Sequence, residues 1–162
     1  MTTKTGHEDH YAKLGVSSQK EDVHNATANL YQGLFPGAFC KPILPDIAGD
    51  PDYCYLMHAD GPGTKSSLAY AYWRETGDLS VFNNIPLDGI NMNLDDLICI
   101  GATGPFYFNQ TINRNKNLIP GEVISAIING ANNFMEKMKS FGVEMYYCGG
   151  ETSDTGDLVR TV

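Results

Sequence analysis

His58-Ala-Asp-Gly-Pro-Gly-Thr-Lys65 is the stretch on which the reading of this 162-residue chain turns. An apolar run, Tyr53-Cys-Tyr-Leu-Met57, leads into it, and residues 66–76 read as a helix leading out. An acid, two glycines, a hydroxyl and a lysine therefore lie at a strand-to-helix turn. Open α/β architectures tend to place a ligand at such a turn. Gly61 and Gly63 let backbone N–H groups approach an anion closely. Thr64 offers a hydroxyl and Lys65 a point positive charge. Asp60 is a candidate ligand for Mg2+, which takes oxygen ligands and usually keeps some waters. The plainer alternative is a tight glycine turn capped by Asp60. The glycine spacing is not that of a Walker A loop.

Working outward, residues 52–58 read as a strand buried on both sides, from their continuous apolar character. On the helix at 66–75, Leu68, Ala69, Tyr72 and Trp73 are expected to share one face, and Gly77 to end it. Trp73 at helical spacing reads as core rather than as a base-stacking platform. Upstream, residues 1–10 read as a flexible terminus in which His7 and His10 are solvated. A turn at 11–18 precedes a helix at 19–30 with a loose period. Gly33-Leu-Phe-Pro-Gly-Ala-Phe39 is either a loop over a ligand or a core-capping turn. Pro42, Pro45 and Gly49 mark an irregular connector.

Downstream, residues 88–100 read as a helix with Ile90, Leu94, Leu97 and Ile98 facing inward. Asp88, Asn91, Asp95 and Asp96 fall at spacings that make neighbours on a helix. Carboxylates crowded this way repel unless a cation relieves them. A metal-related role and a solvated acidic face both remain open. Pro105-Phe-Tyr-Phe108 is a strand candidate, followed by a polar loop with Arg114 and Lys116. Residues 118–141 form the clearest helix: Val123, Ile124, Ile127, Ile128, Ala131, Phe134, Met135, Met138 and Phe141 keep the 3.6-residue period. A strand at 143–148 then runs into a second glycine turn, Gly149-Gly-Glu-Thr-Ser-Asp154, and 158–162 begins another strand. Asp60, Asp95/Asp96 and Glu151 thus recur as acidic positions able to bridge magnesium and a triphosphate.

The formal net charge of −8 argues against nonspecific nucleic-acid binding, which needs a basic face. Cys40, Cys54, Cys99 and Cys148 form no C-x-x-C pair and no zinc spacing. Three of them sit in apolar runs, where a thiol is usually a small buried hydrophobe. With no signal peptide, a reducing, cytoplasmic setting is expected, and the sequons at Asn25 and Asn109 are chance matches. No apolar run approaches the roughly 20 residues of a membrane span. No Ser/His/Asp or Cys/His nucleophile set is evident, so positioning and charge neutralisation are left to carry any chemistry.

Three ordered motifs carry a resemblance: Asp60-Gly-Pro-Gly-Thr-Lys65, the helix from Asp88 to Leu97 with Gly101-Ala102 after it, and Gly149-Gly-Glu-Thr152. Together they resemble the N-terminal domain of the aminoimidazole ribonucleotide synthetase (phosphoribosylformylglycinamidine cyclo-ligase) family. Gly15-Val16, Asp22, Asn25 and the segment from Gly33 to Phe39 are similar as well. The resemblance implies an α+β, sandwich-like domain over 11–162: a four-stranded mixed or antiparallel sheet backed by helices, with two subunits joining their sheets into a barrel-like homodimer. It implies ATP and Mg2+, and ATP-dependent ring closure of formylglycinamidine ribonucleotide in purine biosynthesis. Asp60, Asp96 and Glu151 would hold metal. Lys65 and Asp60 would carry the chemistry. Gly61, Gly63, Thr64, Asp95, Gly149, Gly150 and Thr152 would join them around ATP.

The family has a second, C-terminal domain that this sequence does not contain, so the chain is expected to be the N-terminal part of a longer enzyme, without turnover by itself. Pro62 departs from the family's valine and removes a backbone donor. Asp95 stands where the family has Asn, and Asn109 where an aspartate is common. Selenophosphate synthetase, thiamine-phosphate kinase and the hydrogenase maturation dehydratase share the acidic motifs and are the nearest rivals. A non-catalytic nucleotide-binding or dimerisation module is the rival of another class.

Overall fold

The structure is a computed structural model and describes residues 20–38, 40–43 and 49–157. In chain order they form α1 (Glu21–Thr27), α2 (Lys65–Thr76), a 3-10 helix (Leu79–Asn84), α3 (Ile85–Ile98), β1 (Phe106–Arg114), α4 (Gly121–Ser140) and β2 (Met145–Asp154). The class is α+β, as expected. Among the described residues the sheet has two strands, β1 and β2, and they are parallel.

Parallel neighbours cannot be joined by a hairpin, so the connection must cross over, and α4 is that crossover. Its sequence suits the task. Val123, Ile127, Gly130, Ala131 and Met135 recur at helical spacing and are buried. Lys137 and Lys139 sit in the last turn, where the helix dipole favours cations. Gly142, at φ 84°, stops the helix: its N–H donates to Lys139 O at 2.9 Å and Val143 N–H to Met138 O at 3.1 Å. That pair of bonds is a Schellman ending. The same ending closes α3, where Gly101 N–H donates to Ile98 O and Ala102 N–H to Leu97 O.

Two hydrophobic clusters share α4. One gathers Ala69, Phe82, Ile85, Ile112, Ile119, Val123 and Ile127. The other gathers Ile90, Leu94, Ala131, Met135 and Met145. Trp73 packs edge-on against Phe82 with ring centroids 5.8 Å apart, which agrees with its reading as core. Gly130 lies against the 3-10 helix so closely that a Cβ there would overlap Asn83 O.

Several expectations need correcting. β2 does not end at Cys148 but runs on to Asp154. The pairing moves from Phe108↔Tyr147 to Gln110↔Gly150, so β2 carries one extra residue there. Gly149, at φ 94°, absorbs it as a bulge, so its backbone freedom bends the strand instead of reversing it. The second glycine turn is thus a bulged strand. Residues 52–58 form no strand: a single antiparallel bridge joins Tyr55 to Ile43, and Tyr53 and Met57 are exposed. Their apolar run has no neighbouring strand among the described residues to cover it. On α2 the inward residues are Ser66, Ala69, Tyr70 and Trp73, whereas Leu68 and Tyr72 face outward. On α3, Ile98 is exposed, and past the end of α4 so is Phe141. The helix at 19–30 is reduced to α1, which buries no residue. The expected flexible terminus at 1–10, turn at 11–18 and strand at 158–162 lie outside the described residues.

Close backbone packing makes a direct prediction. Gly130→Ala and Gly150→Ala should each lower unfolding stability by about 1–3 kcal/mol, the usual range for overpacking, because each new methyl meets backbone. Gly121→Ala, which meets nothing within 4 Å, should not destabilise. Urea unfolding of the three variants checks this.

Candidate functional site

The 58–65 turn lies against α3. A methyl built on Gly89 of α3 would meet Pro62 at 3.6 Å and Gly61 at 3.9 Å, ordinary contact distances, so the turn lies close over this helix. Gly63 adopts a left-handed conformation, φ 60°, with open space around its missing Cβ. Lys65 begins α2, and Thr64 before it makes no side-chain cap.

Three side-chain links join the turn to α3. At one end, Lys65 Nζ donates to Asp88 Oδ1 at 2.6 Å, both side chains being largely solvated. At the other, His58 Nε2 faces Asp96 Oδ2 at 3.0 Å, with about a fifth of each side chain exposed. Between them, Asn93 Nδ2 donates to Asp60 O at 3.0 Å and to Gly89 O at 2.7 Å. Asn93 Oδ1 lies 3.2 Å from His58 Nδ1. The Asp60 carboxylate accepts from the adjacent Gly61 N–H at 2.6 Å.

Beneath this junction sits Cys40, whose Sγ donates to Asp96 O at 3.3 Å. Cys40 is buried, whereas Cys54, Cys99 and Cys148 are exposed, against the expectation of buried thiols. Burial, then the charge of Asp96, then Cys99 push the Cys40 thiol above its ordinary pKa. It therefore stays protonated and keeps its donor.

The Gly149-Gly-Glu-Thr motif stands elsewhere on the fold. Gly149, Gly150, Glu151 and Thr152 line a cleft of about 250 Å3 with Gln110, Ile112, Ile128 and Tyr147. Tyr147 donates to Gln110 Oε1 at 3.3 Å, and burial raises its phenol pKa, so it remains a donor. No residue of the 58–65 turn lines that cleft.

The structure thus links the Asp60 backbone to Asp96 through Asn93 and His58, and Lys65 to Asp88; Gly61, Gly63 and Thr64 share the turn but make no contact with Asp96 among those described. Asp95, next along α3, is exposed, and its carbonyl accepts from Cys99 N–H. Among the described residues, no three His, Cys, Asp or Glu side chains gather as a metal-holding group. The carboxylates at the junction are hard oxygen donors, which suit magnesium in kind. Arg114 is no free loop cation. Its Nε donates to Asp154 Oδ1 at 2.8 Å and its Nη1 to Ile119 O at 3.1 Å, tying the ends of the two strands.

Asn93 and the role of His58 were not read from the sequence. Their signal was the spacing: Gly89, Asn93 and Asp96 follow one another at four and three residues, on one helix face.

Comparison with known proteins places these residues in a family. The family model described as "AIR synthase related protein, N-terminal domain" matches residues 43–162. A phosphoribosylformylglycinamidine cyclo-ligase of Saccharolobus solfataricus is 31% identical over 163 residues, covering 94% of this chain and 43% of that protein. One of the same name from Sulfurisphaera tokodaii is 35% identical over 96 residues, covering 57% of this chain and 26% of that protein. The chain spans less than half the length of these curated relatives.

The cysteines supply a test of the junction. Under native conditions a thiol-alkylating reagent should modify Cys54, Cys99 and Cys148 but not Cys40, by intact mass and peptide mapping. Denaturant should expose the fourth site. Native labelling of Cys40 as fast as Cys99 would contradict the packing under Asp96.

Proposed function

The chain belongs to the AIR synthase related family through its N-terminal domain, and on that premise we propose that it carries the ATP-binding part of a phosphoribosylformylglycinamidine cyclo-ligase acting in purine biosynthesis. The observation that carries this reading is the docking of the 58–65 turn on α3, which sets Asp60 and Lys65 beside the acids of that helix. The reaction closes the imidazole ring of aminoimidazole ribonucleotide. The formyl oxygen of formylglycinamidine ribonucleotide takes the γ-phosphoryl group of ATP, and ADP leaves. An amidine nitrogen then attacks the activated carbon, and the oxygen departs with phosphate.

In this reading Lys65 meets phosphate oxygens and Thr64 donates its hydroxyl. The pair Lys65–Asp88 is solvated, and exposed ion pairs contribute roughly 0–1 kcal/mol. Lys65 can therefore exchange Asp88 for a phosphate at little cost. Asp60 and Asp96 would offer oxygen ligands to magnesium, with Asp95 beside them on α3, whereas Glu151, Gly149, Gly150 and Thr152 line the separate cleft and would reach the nucleotide only from there. Magnesium, when bound, would neutralise charge on the polyphosphate.

The proposal extends to assembly. Tyr107 and Tyr146 stack at 5.5 Å on the sheet and are exposed. That aromatic surface supports a homodimer in which the sheets of two subunits join into a barrel-like arrangement. Among the described residues no helix is long and apolar enough to cross a membrane; the cytoplasmic location belongs to the proposal and rests on the purine-biosynthetic reading.

Calorimetric titration of the chain with ATP, with and without Mg2+, tests the reading. Saturable, metal-dependent heat is expected. Lys65→Ala should weaken binding by about tenfold or more, as loss of a charge-assisted bond does. Asp60→Ala should remove the metal dependence. Full metal-dependent affinity in Asp60→Ala would overturn the assignment.

A further inference from the structure

Asn93 joins the turn to α3 at three points. Its amide is used in full. Nδ2 donates to two carbonyls, Asp60 O across the junction and Gly89 O one turn back on its own helix. Carbonyl oxygens only accept, so Nδ2 must face them and Oδ1 must face His58. His58 in turn reaches Asp96 with its other ring nitrogen. The chain of contacts therefore runs from the Asp60 backbone, through Asn93 and His58, to the Asp96 carboxylate. It links two acids that are far apart in sequence and lie on different elements.

We propose that Asn93 and His58 form a clip that positions Asp60 and Asp96 for the nucleotide, neither residue touching the reacting atoms. The clip rests on the reading of this junction as part of the ATP site. Its physical basis is preorganisation. The turn is short and glycine-rich, and its described hydrogen bonds to the helix are all made by side chains. Of the three links, Lys65–Asp88 is the most solvated and is the one a phosphate would compete for. The Asn93–His58 link stays in place when Lys65 turns to the ligand. It keeps the Asp60 turn seated while the charge at its other end is in use. Cys40 under the Asp96 carbonyl closes the far side of the same junction.

Hydrogen exchange with peptide-level mass spectrometry, on the ligand-free chain, reads the clip without any nucleotide. Asn93→Leu keeps the side-chain size and removes all three contacts. His58→Ala cuts the link to Asp96 from the other side. In each variant, exchange in residues 59–68 should speed by about tenfold, read at the amides of Lys65, Ser67 and Leu68, which donate to Pro62 O and Thr64 O of the turn. Peptides from the α4 core should exchange at the parent rate. The double variant should add little to either single one, because both changes break one chain of contacts. Calorimetry should show weaker ATP binding in both single variants. Parent-rate exchange of 59–68 in both variants overturns the clip. If the variants loosen the turn but the parent chain takes up no ATP, the clip stands as a structural link and the nucleotide reading falls. Parent ATP heat with unchanged exchange in the variants removes the clip and leaves the nucleotide reading standing.

Discussion

Parallel strands need a crossover, and that single requirement organises this domain. β1 and β2 pair over nearly their whole length, and only a long helix can carry the chain back between them. α4 does so with a stripe that serves both hydrophobic clusters at once. Its N-terminal half packs with Phe82 and Ile85, its C-terminal half with Ile90 and Leu94. The 3-10 helix and α3 are thereby seated on α4, and the close approach at Gly130 sets how near they sit. Once α3 is seated, its other face presents Asp88, Gly89, Asn93 and Asp96 to the turn at 58–65. The acidic junction is a consequence of how α4 closes the strand pair.

Glycine has three different uses in this arrangement. At Gly130 the missing side chain lets two backbones approach. At Gly101 and Gly142 a left-handed residue ends a helix. At Gly149 positive φ accommodates an extra residue in β2. The last case separates two structures that look alike in sequence. A Gly-Gly pair at a strand end reads as a turn, yet here Gly150 lies against Gln110 and continues the ladder.

The legibility of the sequence follows the same division. The α4 helix was plain because its stripe is long and bounded by Pro120 and Gly142. The ends of α2 and α3 were plain because left-handed glycines stop helices for a local reason. Burial of single residues was less plain. Leu68, Tyr72 and Ile98 have the chemistry of core residues but lie on faces that no other described element covers. The extended segment at 52–58 has the composition of a strand, but composition does not supply a neighbour. At the site, the residue types at 60–65 and the acids of α3 were legible. Asn93 was not, because an amide carries no charge and shows its value only when two carbonyls and an imidazole converge on it.

The turn also differs from a simple anion nest. Pro62 has no N–H, and the Gly61 N–H is already taken by the Asp60 carboxylate. Two of the backbone donors that such a loop would aim at a phosphate are therefore absent or occupied. Gly63 adds freedom of shape, since the space around it is open. Attraction for a polyphosphate must then come from Lys65 and a bound cation more than from backbone dipoles. The acidity of the junction fits that division. Asp60, Asp88 and Asp96 would repel a nucleotide by themselves, so an anion can settle here only with a cation between. On the proposed reading, the same acids that discourage bare phosphate would make binding depend on metal, and Lys65, paired with Asp88, would be released to a stronger anion.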